Sequence, residues 1–295
     1  MKAINFNDGW FYKHLDSDEA AIPAALPHDA MRKEARSADS PGGINTGWYA
    51  GRDYLYTKTF DIPQDYKNKK IIFEFEGVYH NAEVILNGKK AAFRPYGYSN
   101  FYVDTEGLLN DGHSNEIQVI AKNSDQPNSR WYSGAGIYRP VTMWVSDYRR
   151  ILLNGVKIRT LSIDPAIIEI RILTEGEGNV TASVFYGEKS VLCLSGFTTG
   201  ELIMKAEIPD AVLWEPGNSA LYTCQVVFGS DTETVSFGIR TVTYGSDGFC
   251  INGKRVILRG ACIQWPAGRL CLSGSRGAES AYPDGKRIQR APFRP

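Results

Sequence analysis

Between residues 151 and 237 the chain is a succession of short runs in which apolar and polar residues alternate. They are Ile151–Thr160, Ala166–Leu173, Asn179–Tyr186, Ser190–Leu194, Leu202–Ile208, Tyr222–Phe228 and Thr234–Phe237. A period of two sets one face of each run against a core and the other in water, which a helix cannot do. Isolated strands of this length are unstable, so they must pair and close over one another. Roughly seven strands within about 95 residues fit an immunoglobulin-like sandwich. No Cys–Trp–Cys spacing marks its core, so the topology rests on the strand count, and Leu213–Pro216 interrupts the strands as an ordered loop.

The same grammar governs the preceding residues. Tyr54–Ile62 ends at Pro63, and Lys70–Glu76 sets Ile71, Phe73 and Phe75 across the pleat from Ile72, Glu74 and Glu76. Ala82–Leu86 stops at Asn87-Gly88, the pair best suited to a two-residue hairpin because both positions need positive φ. Phe101–Asp104, Glu116–Ala121 and Val141–Val145 complete the set. With no long amphipathic helix among them, these runs predict an antiparallel sandwich. Ser37–Asn45, rich in Ser and Gly, reads as a loop.

The chain has 295 residues, 43% apolar and 12% aromatic, enough for two to three packed cores. Lys plus Arg and Asp plus Glu each total 33. A formal charge of zero argues against a nucleic-acid or anionic-membrane partner held by bulk electrostatics. No run has the length of a signal peptide or a membrane span, so the expectation is a cytoplasmic protein. The five cysteines are Cys193, Cys224, Cys250, Cys262 and Cys271. An odd number without C-x-x-C reads as reduced thiols rather than a disulfide framework. His14, His28, His80 and His113 lack metal-type spacing. No metal and no cofactor are expected.

One loop stands apart. Asn128–Arg139, N-S-R-W-Y-S-G-A-G-I-Y-R, joins two apolar strands and holds three aromatics and two arginines. Ordinary turns are made of Gly, Pro, Asn, Asp and Ser. Trp131, Tyr132, Ile137 and Tyr138 must therefore pack, either on the core of their own domain or against a ligand or docking partner. Tyr96, Tyr98 and Phe101 form a second aromatic group around Gly97, readable as a carbohydrate platform or as packing.

Taken in order, the motifs N-D-G-W (Asn7–Trp10), L-P-H-D (Leu26–Asp29), G-W-Y (Gly47–Tyr49), F-E-G-V-Y-H-N-A-E-V-I-L-N-G (Phe75–Gly88) and G-Y-S-N-F (Gly97–Phe101) lead to the Asn128–Arg139 loop. L-W-E-P-G-N-S-A-L-Y (Leu213–Tyr222), F-G-I-R (Phe237–Arg240) and D-G-F-C-I-N-G-K-R-V-I-L-R-G-A-C-I (Asp247–Ile263) follow it. Over residues 1–263 the series resembles glycoside hydrolase family 2, the β-galactosidase and β-glucuronidase group. The resemblance implies an all-β front: a jelly-roll, galactose-binding-like sandwich over 1–147 and an immunoglobulin-like sandwich over 148–243. Residues 244–263 would be a stub, the entry hairpin of a (β/α)8 barrel, with Asn252-Gly253 as its turn and Val256–Leu258 as its return strand. Family members are retaining β-glycosidases that use two Glu residues, one as acid/base and one as nucleophile. Both lie on barrel strands beyond residue 263, so no catalytic residue is assigned here. Glu74, Glu76 and Glu83 read as a solvated strand face, and Asp29 beside His28 as a loop cap next to Pro27.

After Ile263 the family pattern stops. Residues 264–295 hold five arginines, four glycines and four prolines with little apolar periodicity, a composition that predicts disorder. Suitable codons for Lys286–Pro295, read one phase over, encode N-G-F-N-A-L-R-S-A, which resembles the family's barrel sequence. The tail therefore reads as a frameshift. The resemblance further implies that loops of the sandwich reach the rim of the sugar site through Asn45, Asn128, Ser129, Arg130 and Trp131. Amide and guanidinium donors suit ring hydroxyls, and an indole face suits sugar C–H groups. The partners it implies are a carbohydrate such as a β-galactoside and the missing barrel domain. Surfaces shaped for that barrel would promote self-association. A free-standing carbohydrate-binding or scaffold module of two sandwiches is the alternative.

Overall fold

A computed structural model describes residues 1–110, 114–246 and 248–260. The tail and its out-of-frame reading lie outside the described residues.

The first sandwich places a six-stranded sheet over a four-stranded one. The larger sheet runs in the order Ile22–Ala24, Trp10–His14, Tyr54–Phe60, Asn115–Ala121, Ala82–Leu86 and Lys89–Arg94. The smaller runs Lys2–Asn5, Val141–Ser146, Lys70–Phe75 and Phe101–Asp104. Every pairing is antiparallel. The alternation dictates the burial: Tyr54, Tyr56, Val84, Leu86, Ile117 and Val119 face the core. Phe6, Phe60 and Phe73 meet ring to ring at 4.7 to 5.6 Å, separations at which aromatic pairs add to their burial. Asn87 and Gly88 turn the hairpin with φ of 49° and 75°, as the Asn-Gly pair predicts.

The second sandwich sets three strands against four. Arg150–Ile163, Ala166–Glu175 and Glu201–Glu207 form one sheet. Lys189–Thr198, Gly178–Tyr186, Tyr222–Phe228 and Asp231–Phe237 form the other, in that order. The fold is thus all-β, a jelly-roll sandwich followed by an immunoglobulin-like one. Its core carries a signature less conspicuous than Cys–Trp–Cys. Tyr222 begins its strand, is buried, and its hydroxyl accepts from Val212 N 2.8 Å away. Two residues on, Cys224 is buried and its thiol is pushed up to about 11 by desolvation. A tyrosine tied to upstream backbone two residues before a core cysteine is the tyrosine corner of such sandwiches. The signal Tyr222-x-Cys224 was present in the sequence.

Polar contacts join the sandwiches. Asp147 pairs with Lys69 and accepts from Ser230 Oγ at 2.8 Å. Asn154 Nδ2 donates to Tyr102 Oη at 2.7 Å, and the Met1 ammonium pairs with buried Asp231. A small third sheet follows: Val242–Gly245, Gly248–Ile251 and Lys254–Arg255. Asn252-Gly253 makes its turn, but the return strand is Lys254–Arg255, not Val256–Leu258. Val256 N still donates to Phe249 O; beyond it the partner strand ends at Gly248, and Ile257 and Leu258 lie exposed.

Replacing Tyr222 by Phe removes one buried hydrogen bond at constant shape. It should lower stability by about 1 kcal/mol, read as a lower urea midpoint; an unchanged midpoint would show that the corner adds nothing.

Candidate functional site

The Asn128–Arg139 loop is built into the sandwich by main-chain hydrogen bonds on both flanks. His28 N donates to Ile137 O and Ala30 N to Ala135 O, both at 2.8 Å. On the other side Tyr79 and Gly136 exchange two bonds of 3.0 Å. Ala135 and Ile137 are fully buried. Gly136 sits at φ 109°, and a Cβ there would lie 2.1 Å from the Tyr56 hydroxyl, so no side chain fits.

Asp29 fastens the rest. Its Oδ1 accepts from Met31 N at 3.2 Å, capping the 3-10 turn Ala30–Lys33, and from Ala135 N at 3.0 Å. Its Oδ2 accepts from Tyr132 Oη at 2.7 Å. The neighbouring His28 shares a 2.8 Å hydrogen bond with Tyr56 through Nδ1. Burial lowers the His28 pKa, outweighing the attraction of Asp29.

The outward end of the loop carries the sequence-predicted residues. Asn128 is half-buried and its amide group is used internally. Nδ2 donates to Asn123 Oδ1 at 2.7 Å and lies 3.0 Å from Asp125 Oδ1 and 3.1 Å from His80 Nε2; Oδ1 accepts from Tyr79 Oη at 3.2 Å. His80 Nε2 is 3.0 Å from Asp125 Oδ1, which fits a tautomer with its hydrogen on Nε2. Burial would raise the Asp125 pKa, but the hydrogen bonds from Asn128 and His80 win and hold it below the usual carboxylate value. Ser129 Oγ donates to Trp131 O at 2.6 Å. Trp131 is 56% exposed and its indole N–H donates to Tyr98 Oη at 2.8 Å. Tyr98 in turn packs edge-on against Tyr96 at 5.7 Å and Tyr79 at 5.2 Å. Tyr96, Tyr98 and Trp131 thus make one exposed aromatic surface. Phe101 parts from them, buried and stacked on Phe75 at 5.1 Å.

Arg130 is exposed and makes no ion pair or hydrogen bond among the described residues. Asn45 is exposed on the 3-10 turn Gly43–Thr46. That turn is linked to the loop through Tyr49, whose ring meets Tyr132 at 6.0 Å. The sequence reading missed His80, Asn123 and Asp125, although polar residues spaced from Asn123 to Asn128 are a local signal for an Asx-rich turn. A cavity of about 210 Å³ lies by Lys67–Lys70 and Thr105–Asn110, and another of about 370 Å³ by Ala50–Asp53 and Ser124. Neither is lined by the five predicted residues. Among the acidic residues, Glu74 accepts from Trp144 and Asn100, and Glu83 pairs with Lys90. Among the described residues no three His, Cys, Asp or Glu side chains converge to hold a metal ion.

Residues 26–139 match the family described as the glycosyl hydrolase 2 galactose-binding domain-like domain. The β-galactosidase BoGH2A of Bacteroides ovatus is 30% identical over 301 residues, covering 90% of this chain and 35% of its own. A β-glucuronidase of Formosa agariphila is 26% identical over 334 residues, covering 95% and 33%. The crystal structure of a β-glycosidase from Bacteroides vulgatus superposes with a TM-score of 0.76 at 28% identity, over 89% of this chain and 37% of that one. The chain spans about a third of the length of these curated relatives.

The His28 environment gives a pH prediction. The folded chain holds a proton on His28 less readily than the unfolded chain does. The stabilisation is complete above the ordinary histidine value of about 6.5 and is lost as pH falls through the window below it. The denaturation midpoint should therefore drop between about pH 7.5 and about pH 5, with a smaller drop in His28→Gln. An equal drop in the variant would exclude His28 as the cause.

Proposed function

We propose, for a chain that belongs to glycoside hydrolase family 2 through its galactose-binding-like domain, that these residues are the non-catalytic front of a retaining β-glycosidase. The substrate class is a β-galactoside or β-glucuronide, the activities named for the relatives. The small sheet Val242–Arg255 would lead into a catalytic barrel that supplies the two Glu residues.

The observation that carries this reading is the division of the Asn128–Arg139 loop. Its inner half, Gly134–Ile137, is locked into the sandwich, while Arg130 and Trp131 project from a rigid base. A planar fork of donors beside an indole face suits ring hydroxyls on one side and sugar C–H groups on the other. Asn128 and Ser129 hold that end in shape through their internal hydrogen bonds, and Asn45 adds an amide from the neighbouring turn.

A second reading, a free-standing carbohydrate-binding module, is favoured by the exposed Tyr96–Tyr98–Trp131 surface alone. The two separate cleanly. The 295-residue chain should show no turnover of chromogenic β-galactosides or β-glucuronides above background, and turnover would overturn both readings. Calorimetric titration with lactose and glucuronate should be silent for a front part whose site is completed elsewhere. Saturable binding that disappears in Trp131→Ala would establish the module instead.

A further inference from the structure

The two outer faces of the second sandwich are made of different chemistry. On the three-stranded sheet Arg159 pairs with Glu169 at 2.8 Å, Lys205 reaches the same carboxylate at 3.5 Å, and Arg171 pairs with Glu201. Interspersed charges of both signs are what a solvated face carries. The four-stranded sheet differs. Its register sets Val180, Ala182 and Val184 opposite Phe228, Val226 and Cys224 in the core, so the alternate residues point outward. One outward row, Ser195–Thr181–Val227–Thr232, crosses all four strands. The adjoining row, from Cys193 to Thr234, is likewise uncharged, with Gln225 near its middle. Phe197, 58% exposed, extends the face along the edge strand. In a chain with 22% charged residues, an exposed sheet face without one is unusual, and it shares the depletion of charge that interface cores have.

We propose that this face docks a second copy of the chain in a weak two-fold dimer. A two-fold axis sets the face against itself, and an uncharged face meets its mate without like-charge repulsion. Ser, Thr and Gln each donate and accept, so the surface is complementary to itself. A partner with charged groups would find no counter-charge here and would lose their hydration. With the next uncharged row, Ser190–Phe185–Thr223–Ser236, and Asn179 beside Phe197, four strands about 4.8 Å apart and rows about 6.8 Å apart give a face on the order of 500 Å² per copy. Two such faces bury roughly 1,000 Å², at the lower limit of specific interfaces, and no Trp, Tyr or Arg anchors the centre of the patch. Weak, reversible association follows. It runs through the second sandwich and is independent of the aromatic loop end on the first.

Sedimentation velocity of the 295-residue chain between about 1 and about 200 µM tests this. The expected result is a reversible monomer–dimer equilibrium that Gln225→Glu weakens at least about tenfold. Lys205→Gln, on the opposite face, should leave it unchanged. Thr234→Lys provides a second charge on the same face, and circular dichroism identifies any variant that has lost its strands. A monomer at all concentrations would overturn the proposal. So would a dimer that folded Gln225→Glu and Thr234→Lys retain, or one abolished by Trp131→Ser.

Discussion

The carboxylate of Asp29 is the interaction on which the candidate site depends. It joins the turn Ala30–Lys33 to Tyr132 and Ala135, residues more than 100 positions away in sequence. Hydrogen bonds to an ionised acceptor are roughly twice as strong as neutral ones, and here three donors converge on one half-buried group. Main-chain bonds on both flanks of Ala135–Ile137 leave the loop as a strand-like filler between Leu26–Ala30 and Tyr79. That explains how a loop rich in Gly and Ser can present Arg130 and Trp131 in one place. Side chains positioned by a rigid scaffold recognise ligands at a smaller ordering cost.

Around this anchor the two sandwiches divide the work. The first places all five predicted rim residues at one end of its strands, in two loops that touch through Tyr49 and Tyr132. The second contributes none of them. It meets the first through polar contacts: Ser230 on Asp147, Asp231 on the Met1 ammonium and Asn154 on Tyr102. Its two outer faces have opposite character, one laced with ion pairs and one without charge. The match to the glycosyl hydrolase 2 galactose-binding domain-like family covers residues 26–139, the greater part of the first sandwich and its loop.

Much of the fold was legible because period-two alternation is a local signal. The runs from Tyr54 to Val145 and from Ile151 to Phe237 correspond to strands within a few residues. Lys2–Asn5, Trp10–His14 and Ile22–Ala24 were not read as strands, because their alternation is interrupted by turns and a proline and their burial comes from distant partners. Val256–Leu258 failed for a related reason. Its apolar run has strand composition, but a strand needs a partner, and Gly248–Ile251 is too short to supply one. At the site, residue types were legible and partners were not. No sequence pattern links Asp29 to Ala135, or commits Asn128 to Asn123 and Tyr79. Phe101 shows the same limit, since only the fold separates it from Tyr96 and Tyr98.

A loop held by its own sandwich should stand formed without any other domain, which is what a preformed sugar-facing rim requires. Hydrogen exchange at the amides of His28, Ala30, Ala135 and Gly136 in the 295-residue chain measures this directly, since all four donate inside the latch. Protection comparable with the central strand Asn115–Ala121 is the predicted result. Exchange at the rate of an open loop would contradict it and would place the ordering of Arg130 and Trp131 outside this chain.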